Sequence, residues 1–144
     1  MKTASSILAL ALGLTIPAFC ADTKDANVPQ YNLKTEINFE GTIAKVREVP
    51  EGESYAGVHI SIAAKGETFD IFVGPTKFLK FLGVNLREGE KFVGVIGSLV
   101  QFNGVDLILA REVRVEHTFI SLRDEKGFPN WLWMNTQIHT GGGL

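Results

Sequence analysis

EKFVGVIGSLVQFNGVDLILAREVRV, residues 90–115, sets two strand-like runs on either side of Asn103-Gly104. Asn-Gly is the strongest short-range signal for a two-residue hairpin turn, because both residues tolerate positive φ. A turn there places Phe102 opposite Val105 and continues through Val100–Leu107, Ser98–Leu109, Ile96–Arg111, Gly94–Val113 and Phe92–Val115. Opposed residues share a sheet face, so one face carries Phe92, Ile96, Val100, Phe102, Val105, Leu107, Leu109, Val113 and Val115. That face is expected to be the core. The other holds Val93, Val95, Leu99 and Ile108 beside Gln101, Asp106, Glu112 and Arg114. It is too apolar for open solvent, and it needs a cover.

Arg111 falls on the expected core face, where an unpaired charge is costly. It can lie near the end of the sheet and reach water, pair with an acid such as Asp70 or Glu112, or sit at a local bulge that turns it outward. A structural role is the simpler reading, and anchoring an anionic ligand group the sharper one.

Outward from the hairpin, the pattern supplies the remaining elements. Glu36 to Val49 alternates, with Ile37, Phe39 and Ile43 in one phase and Val46 in the other, which predicts a long strand bent or bulged near Gly41 to Ala44. A loop at residues 50–54 leads to a strand over Tyr55 to Ala64, in which Val58, Ile60 and Ile62 share a face. Lys65-Gly66 forms a turn, and Glu67 to Val73 is a third strand with Phe69, Ile71 and Val73 in phase. Gly74-Pro75 opens a short helix, where Phe78, Leu79, Phe81 and Leu82 recur at helical spacing and Gly83 stops it. After the hairpin, Thr118, Ile120 and Leu122 alternate with Phe119, Ser121 and Arg123 as a sixth short strand. A turn at residues 124–127 then precedes the aromatic tail FPNWLWM, residues 128–134.

Three strands, a helix and two more strands, with a long bent first strand, is the order of an OB-fold. The expected fold is therefore all-β with one short helix: a five-stranded Greek-key barrel plus an extra C-terminal strand and the aromatic tail. The Gly74-Pro75 helix start, GEKFVGVIGSLV at 89–100, ILAREV at 108–113 and LRDEKGFPNW at 122–131 resemble small exported bacterial OB-fold proteins. The resemblance covers roughly residues 36 to 131. It implies the fold and export, and it carries no settled activity.

The N-terminus reads as a secretory signal peptide over residues 1–20. Lys2 precedes the apolar run Ile7 to Ile16, and Pro17 to Ala21 supplies small residues for cleavage ahead of Ala21. A lipoprotein reading through Cys20 is weakened by bulky Phe19. Cleavage removes the single cysteine, so the mature domain is expected to have neither disulfide nor thiol chemistry. Fourteen basic residues less Lys2 leave 13 against 16 acidic ones, a mature net charge of about −3. Residues 21–35 read as a flexible leader, 36–134 as the OB domain and 135–144 as a flexible C-terminal tail. The expected location is periplasmic or secreted, with no membrane span after cleavage.

Function is less legible. OB-fold nucleic-acid sites combine a basic groove with aromatic platforms, mainly on strands two and three. The outward residues there are His59, Ser61, Ala63, Thr68, Asp70 and Phe72, which include one aromatic and no Arg or Lys; with the acidic balance, nucleic acid is not expected as a partner. His59, His117 and His139 form no metal-ligand spacing, so no metal and no cofactor is expected. No spacing suggests a nucleophile with its base, and no phosphate loop is present, so an enzyme is not expected. Asp124 favours its turn by bonding its own backbone, which gives Arg123 and Asp124 a structural reading before a recognition one. Phe128, Trp131, Leu132, Trp133 and Met134 read either as a lid on the second hairpin face or as an exposed patch.

The resulting expectation is a non-enzymatic binding or interaction module of the cell envelope, with a protein partner or small ligand. Its candidate site residues are Arg111, Arg123, Trp131, Trp133, His59 and His117. A metal- or redox-linked accessory protein and an oligosaccharide-binding module are the alternatives.

Overall fold

The computed structural model describes residues 28–134. The expected signal peptide, residues 21–27 of the leader, His139 and the tail 135–144 lie outside the described residues. After a 3-10 turn at Leu33–Thr35, the elements run β1 (Glu36–Val49), β2 (Gly57–Ala64), β3 (Glu67–Gly74), α1 (Thr76–Leu82), β4 (Val93–Phe102), β5 (Val105–Val115) and β6 (Thr118–Ser121). The sheet order is β3-β2-β1-β4-β5-β6, and a parallel pairing of β3 with β5 closes the first five strands into a barrel. This is the OB-fold, with β6 added along β5. No helix among the described residues is long and apolar enough to cross a membrane.

The turns form where the local chemistry predicts them. Asn103 and Gly104 take φ of 53° and 77°, and Lys65 and Gly66 take 50° and 81°, the doubly positive pattern of tight hairpins. β1 breaks register between Ile43 and Lys45, so the bend is a bulge at Ala44. Pro75 caps α1, and Gly83 ends it at φ 72°. Phe78 and Leu79 are buried, whereas Phe81 and Leu82 of the same helix are exposed.

The β4–β5 register follows the expected pairing from Phe102↔Val105 to Ser98↔Leu109 and Gly97↔Ala110, and then slips: Ile96 pairs with Glu112. Arg111 is the extra residue. It stays on the outer side, and the bulge brings Val113 inward opposite Val95. Gly97 makes the tight crossing possible, since a Cβ there would stand 2.6 Å from the Leu109 carbonyl oxygen.

The expected inside and outside of the hairpin are exchanged. Val93, Val95, Ile108, Ala110 and Val113 line the interior with Ile43, Ile60, Ile62, Ile71 and Val73. Val100, Phe102, Leu107 and Leu109, expected in the core, lie on the outside and form a second cluster with Phe72. Phe92 and Val105 are 73% and 62% exposed. Both faces are apolar, so hydrophobic count alone does not rank them. Closure by the β3–β5 pairing encloses the first, and Tyr31, Tyr55 and Trp131 pack onto the second from outside.

Residues 28–35 lie against the barrel: Tyr31 joins the second cluster, and the Asn32 N–H and Thr35 hydroxyl meet the buried Ser98 hydroxyl at 3.0 and 2.9 Å.

Candidate functional site

Arg111 takes the outward placement and finds an acid other than the two expected. Its Nε and Nη2 donate to the two Glu36 carboxylate oxygens, each at 2.9 Å, and the Tyr31 hydroxyl donates to the same carboxylate. The Arg111 hydrogen bonds are the main reason Glu36 is held below its ordinary carboxylate value. The same partner raises the guanidinium. Burial, and then the contact with Glu36, pushes the Tyr31 phenol up to about 12. Arg111 thus anchors the start of β1 to β5.

Arg123, at the junction of the last strand and its turn, is buried at 7% exposure. Its Cζ lies 5.3 Å from the Tyr31 ring centroid and 5.2 Å from that of Trp131, so the guanidinium is held by two rings. Nη1 donates to the Gly127 carbonyl at 3.0 Å, and Nε is buried with no hydrogen-bond partner. Burial pulls the guanidinium below its ordinary value. Beside it Asp124 does what its turn position predicts: Oδ1 accepts from the Lys126 and Phe128 N–H groups, both at 2.9 Å.

His59 is buried at 4% exposure on the outer side of β2. It packs on Phe72, its Nε2 lies 2.8 Å from the Tyr55 carbonyl oxygen, and its Nδ1 is 3.4 Å from Arg47 Nη2. A carbonyl only accepts, so Nε2 carries the proton and Nδ1 its lone pair. Burial is the main reason the imidazole sits below its ordinary value. Asp70 accepts from Arg47 at 2.9 Å through Oδ2, while its Oδ1 is buried without a hydrogen-bond partner, 3.9 Å from His59 Nδ1. No group of three or more His, Cys, Asp or Glu among the described residues is placed to hold a metal. His117 stands apart, exposed in the β5–β6 turn.

Val93, Val95 and Ile108 are enclosed by the barrel, with Leu99 partly buried beside them, and of the two tryptophans Trp131 packs against that interior cluster. Trp131 is half-buried between Phe72 and Phe78, with ring centroids 6.0 and 5.5 Å away. Trp133 remains 45% exposed and stands edge-on to Phe81, which is 65% exposed. Beside them runs a groove of about 540 Å³ with Phe78, Trp131, Trp133 and Met134 along it and Glu48, Glu51 and Lys77 at its rim.

Folding therefore brings Arg123, Trp131 and, through Phe72, His59 into one aromatic layer, with Trp133 next to it; Arg111 is tied to that layer through Tyr31, and His117 is left out. Sequence reasoning missed Tyr31, Tyr55, Glu36 and Phe81 as members. The one available signal was Tyr31, the lone aromatic of an otherwise polar leader.

A sequence model of the MamS/MamX magnetosome protein family matches residues 35–120, more than half of the chain. No curated protein matches. Among solved structures, the mitochondrial single-stranded DNA-binding protein Rim1 of S. cerevisiae is similar at 16% identity, with a TM-score of 0.43, over 60% of this chain and 96% of that one. The Stn1-Ten1 complex of S. pombe is similar at 17% identity, with a TM-score of 0.42, over 74% of this chain and 71% of that one. The exclusion of nucleic acid from the partners is corrected, because its premise of a single aromatic on that side does not hold. Counting outward residues found one aromatic on strands two and three, but Tyr31, Tyr55, Phe102 and Trp131 join Phe72 on that side. Nucleic acid stays among the partners to be tested.

Proposed function

The chain belongs to the MamS/MamX magnetosome protein family, and on that premise we propose that it is an exported, non-enzymatic interaction module that docks a protein partner of the magnetosome on the groove beside Trp133. One observation carries the reading. Trp133 and Phe81, two large aromatics on different elements, stay 45% and 65% exposed while touching each other beside an apolar groove of about 540 Å³. Rigid aromatics at the edge of an apolar depression are what protein–protein contacts use as anchors. The signal-peptide pattern at residues 1–20 supports export. The lack of a nucleophile-and-base spacing supports a binding role over turnover.

A photo-crosslinking residue at Phe81, introduced into the full chain and irradiated in isolated magnetosomes, tests this. The same residue at Val105, exposed on the β4–β5 turn, is the control. The expected result is one discrete protein adduct from position 81, absent from position 105 and suppressed by Trp133→Ala. Equal labelling from both positions, or an adduct indifferent to Trp133→Ala, sinks the proposal. An adduct with nucleic acid in place of protein replaces it.

A metal-linked role has one observation in its favour, the unpartnered Asp70 Oδ1 facing His59 Nδ1. Stoichiometric metal in purified protein, lost in His59→Gln, would establish that reading.

A further inference from the structure

Arg123 is the one buried Arg or Lys among the described residues. The other guanidinium–carboxylate pairs of the barrel, Arg111 with Glu36 and Arg47 with Asp70, are direct. Arg123 has no such acid within ion-pair distance. Asp124, its neighbour in sequence, spends Oδ1 on two backbone N–H groups. The phenols of Tyr31 and Tyr55 are both pushed up to about 12, chiefly by burial, so they are neutral and bring no negative charge. Two ring faces and one carbonyl offset part of the desolvation of this cation and neutralise none of its charge.

A cavity of about 240 Å³ adjoins it. Tyr31, Tyr55, Phe72 and Trp131 give it aromatic walls, Arg123 its charge, and Pro29 closes one side, with the Tyr55 hydroxyl donating to the Pro29 carbonyl. A mostly apolar concavity with one convergent cation is the composition of a small-molecule site, and this volume falls below the range of about 300–1,000 Å³ typical of drug-sized ligands. A guanidinium with Nη1 already engaged and Nε unpartnered has one edge left, and that edge matches the two oxygens of a carboxylate.

We propose that this cavity binds a small carboxylate with a planar apolar body, its carboxylate on the free edge of Arg123 and its body against Tyr55, Phe72 and Trp131. The site adjoins the docking groove, with which it shares Trp131, and differs from it in its buried cation and in the residues 28–31 along its wall.

Benzoate is the probe, with benzamide as its uncharged counterpart and inorganic phosphate as an anion without the apolar body. Titration of the signal-free protein at fixed ionic strength, followed by tryptophan fluorescence and thermal shift, is expected to show saturable benzoate binding that raises Tm. Benzamide and phosphate should bind at least tenfold more weakly, and Arg123→Lys, which keeps the charge and loses the fork, should weaken benzoate at least tenfold. Should that variant fail to fold, Phe72→Leu, which retains Arg123 and removes an aromatic wall, should weaken benzoate severalfold while leaving phosphate unchanged. Equal binding of benzoate and benzamide, no saturable binding of any probe, or benzoate affinity untouched by both substitutions overturns the proposal. A protein adduct at position 81 without benzoate binding would leave the docking reading standing and remove this one.

Discussion

Arg111 and Glu36 are about three-quarters buried and joined by two hydrogen bonds, so neither can lose its partner without leaving a half-desolvated charge behind. Arg111→Met is expected to destabilise the fold by about 1.5–3 kcal/mol, the usual value of hydrogen bonds to a charged group. Adding Glu36→Gln should recover part of that loss, because the orphaned carboxylate is gone; chemical denaturation of the single and double variants measures both. His59 sets the pH dependence. Its folded-state pKa lies below the unfolded value, so the unfolded chain takes up the proton first and stability falls as pH drops below about 6.5. Glu36 adds a second loss below about 4.5, as the carboxylate held by Arg111 is protonated. Denaturation midpoints from pH 8 to 4 should decline in two steps, and His59→Gln should flatten the upper one alone. An unchanged upper step would remove His59 from this role.

At the scale of elements, the bulge between β4 and β5 brings Val113 into the barrel opposite Val95. Gly97 has no room for a side chain against the Leu109 carbonyl, and Ile108 Cγ2 would lie 2.7 Å from its Cβ. Gly97→Ala should therefore cost about 2 kcal/mol or more through overpacking, and the variant should keep the barrel while lowering Tm. A stability equal to the parent would mean that the strands separate more readily than their register implies. The helix α1 was only half legible. Its start at Pro75 and stop at Gly83 are backbone chemistry and follow from residue type, but its apolar spacing predicted four inward residues, and Phe81 and Leu82 point away from the core. Only Phe78 and Leu79 reach the core, and Trp133, remote in sequence, is where Phe81 finds a neighbour.

For the whole molecule, the barrel carries a second small core on its outside, and the chain's own N-terminal segment covers it. Removal of residues up to and including Asn32 should strip Tyr31 from Arg123 and from Phe72, Leu107 and Leu109. The expected cost is about 2 kcal/mol, in line with about 1.5–3 kcal/mol for one large side chain returned to water. Trp131 emission should shift with it, since its layer opens. A truncated domain with unchanged stability and emission would show that the segment adds nothing to the barrel.

The strand order, the turns at Lys65-Gly66 and Asn103-Gly104, the β1 bulge and the limits of α1 were all determined by the sequence itself. Each depends on the preferences of a few adjacent residues: positive φ at Asn and Gly, a fixed φ at Pro, and alternation broken at one point. Which side of the hairpin faces inward, the burial of Arg123 and the pairing of Arg111 with Glu36 were decided only by tertiary structure. Val95 and Ile108 on one face and Val100 and Leu107 on the other are equally apolar. The pairing of β3 with β5 enclosed the first, and Tyr31, Tyr55 and Trp131 reached the second from distant parts of the chain, so burial is a property of what arrives on a surface rather than of the strand that forms it.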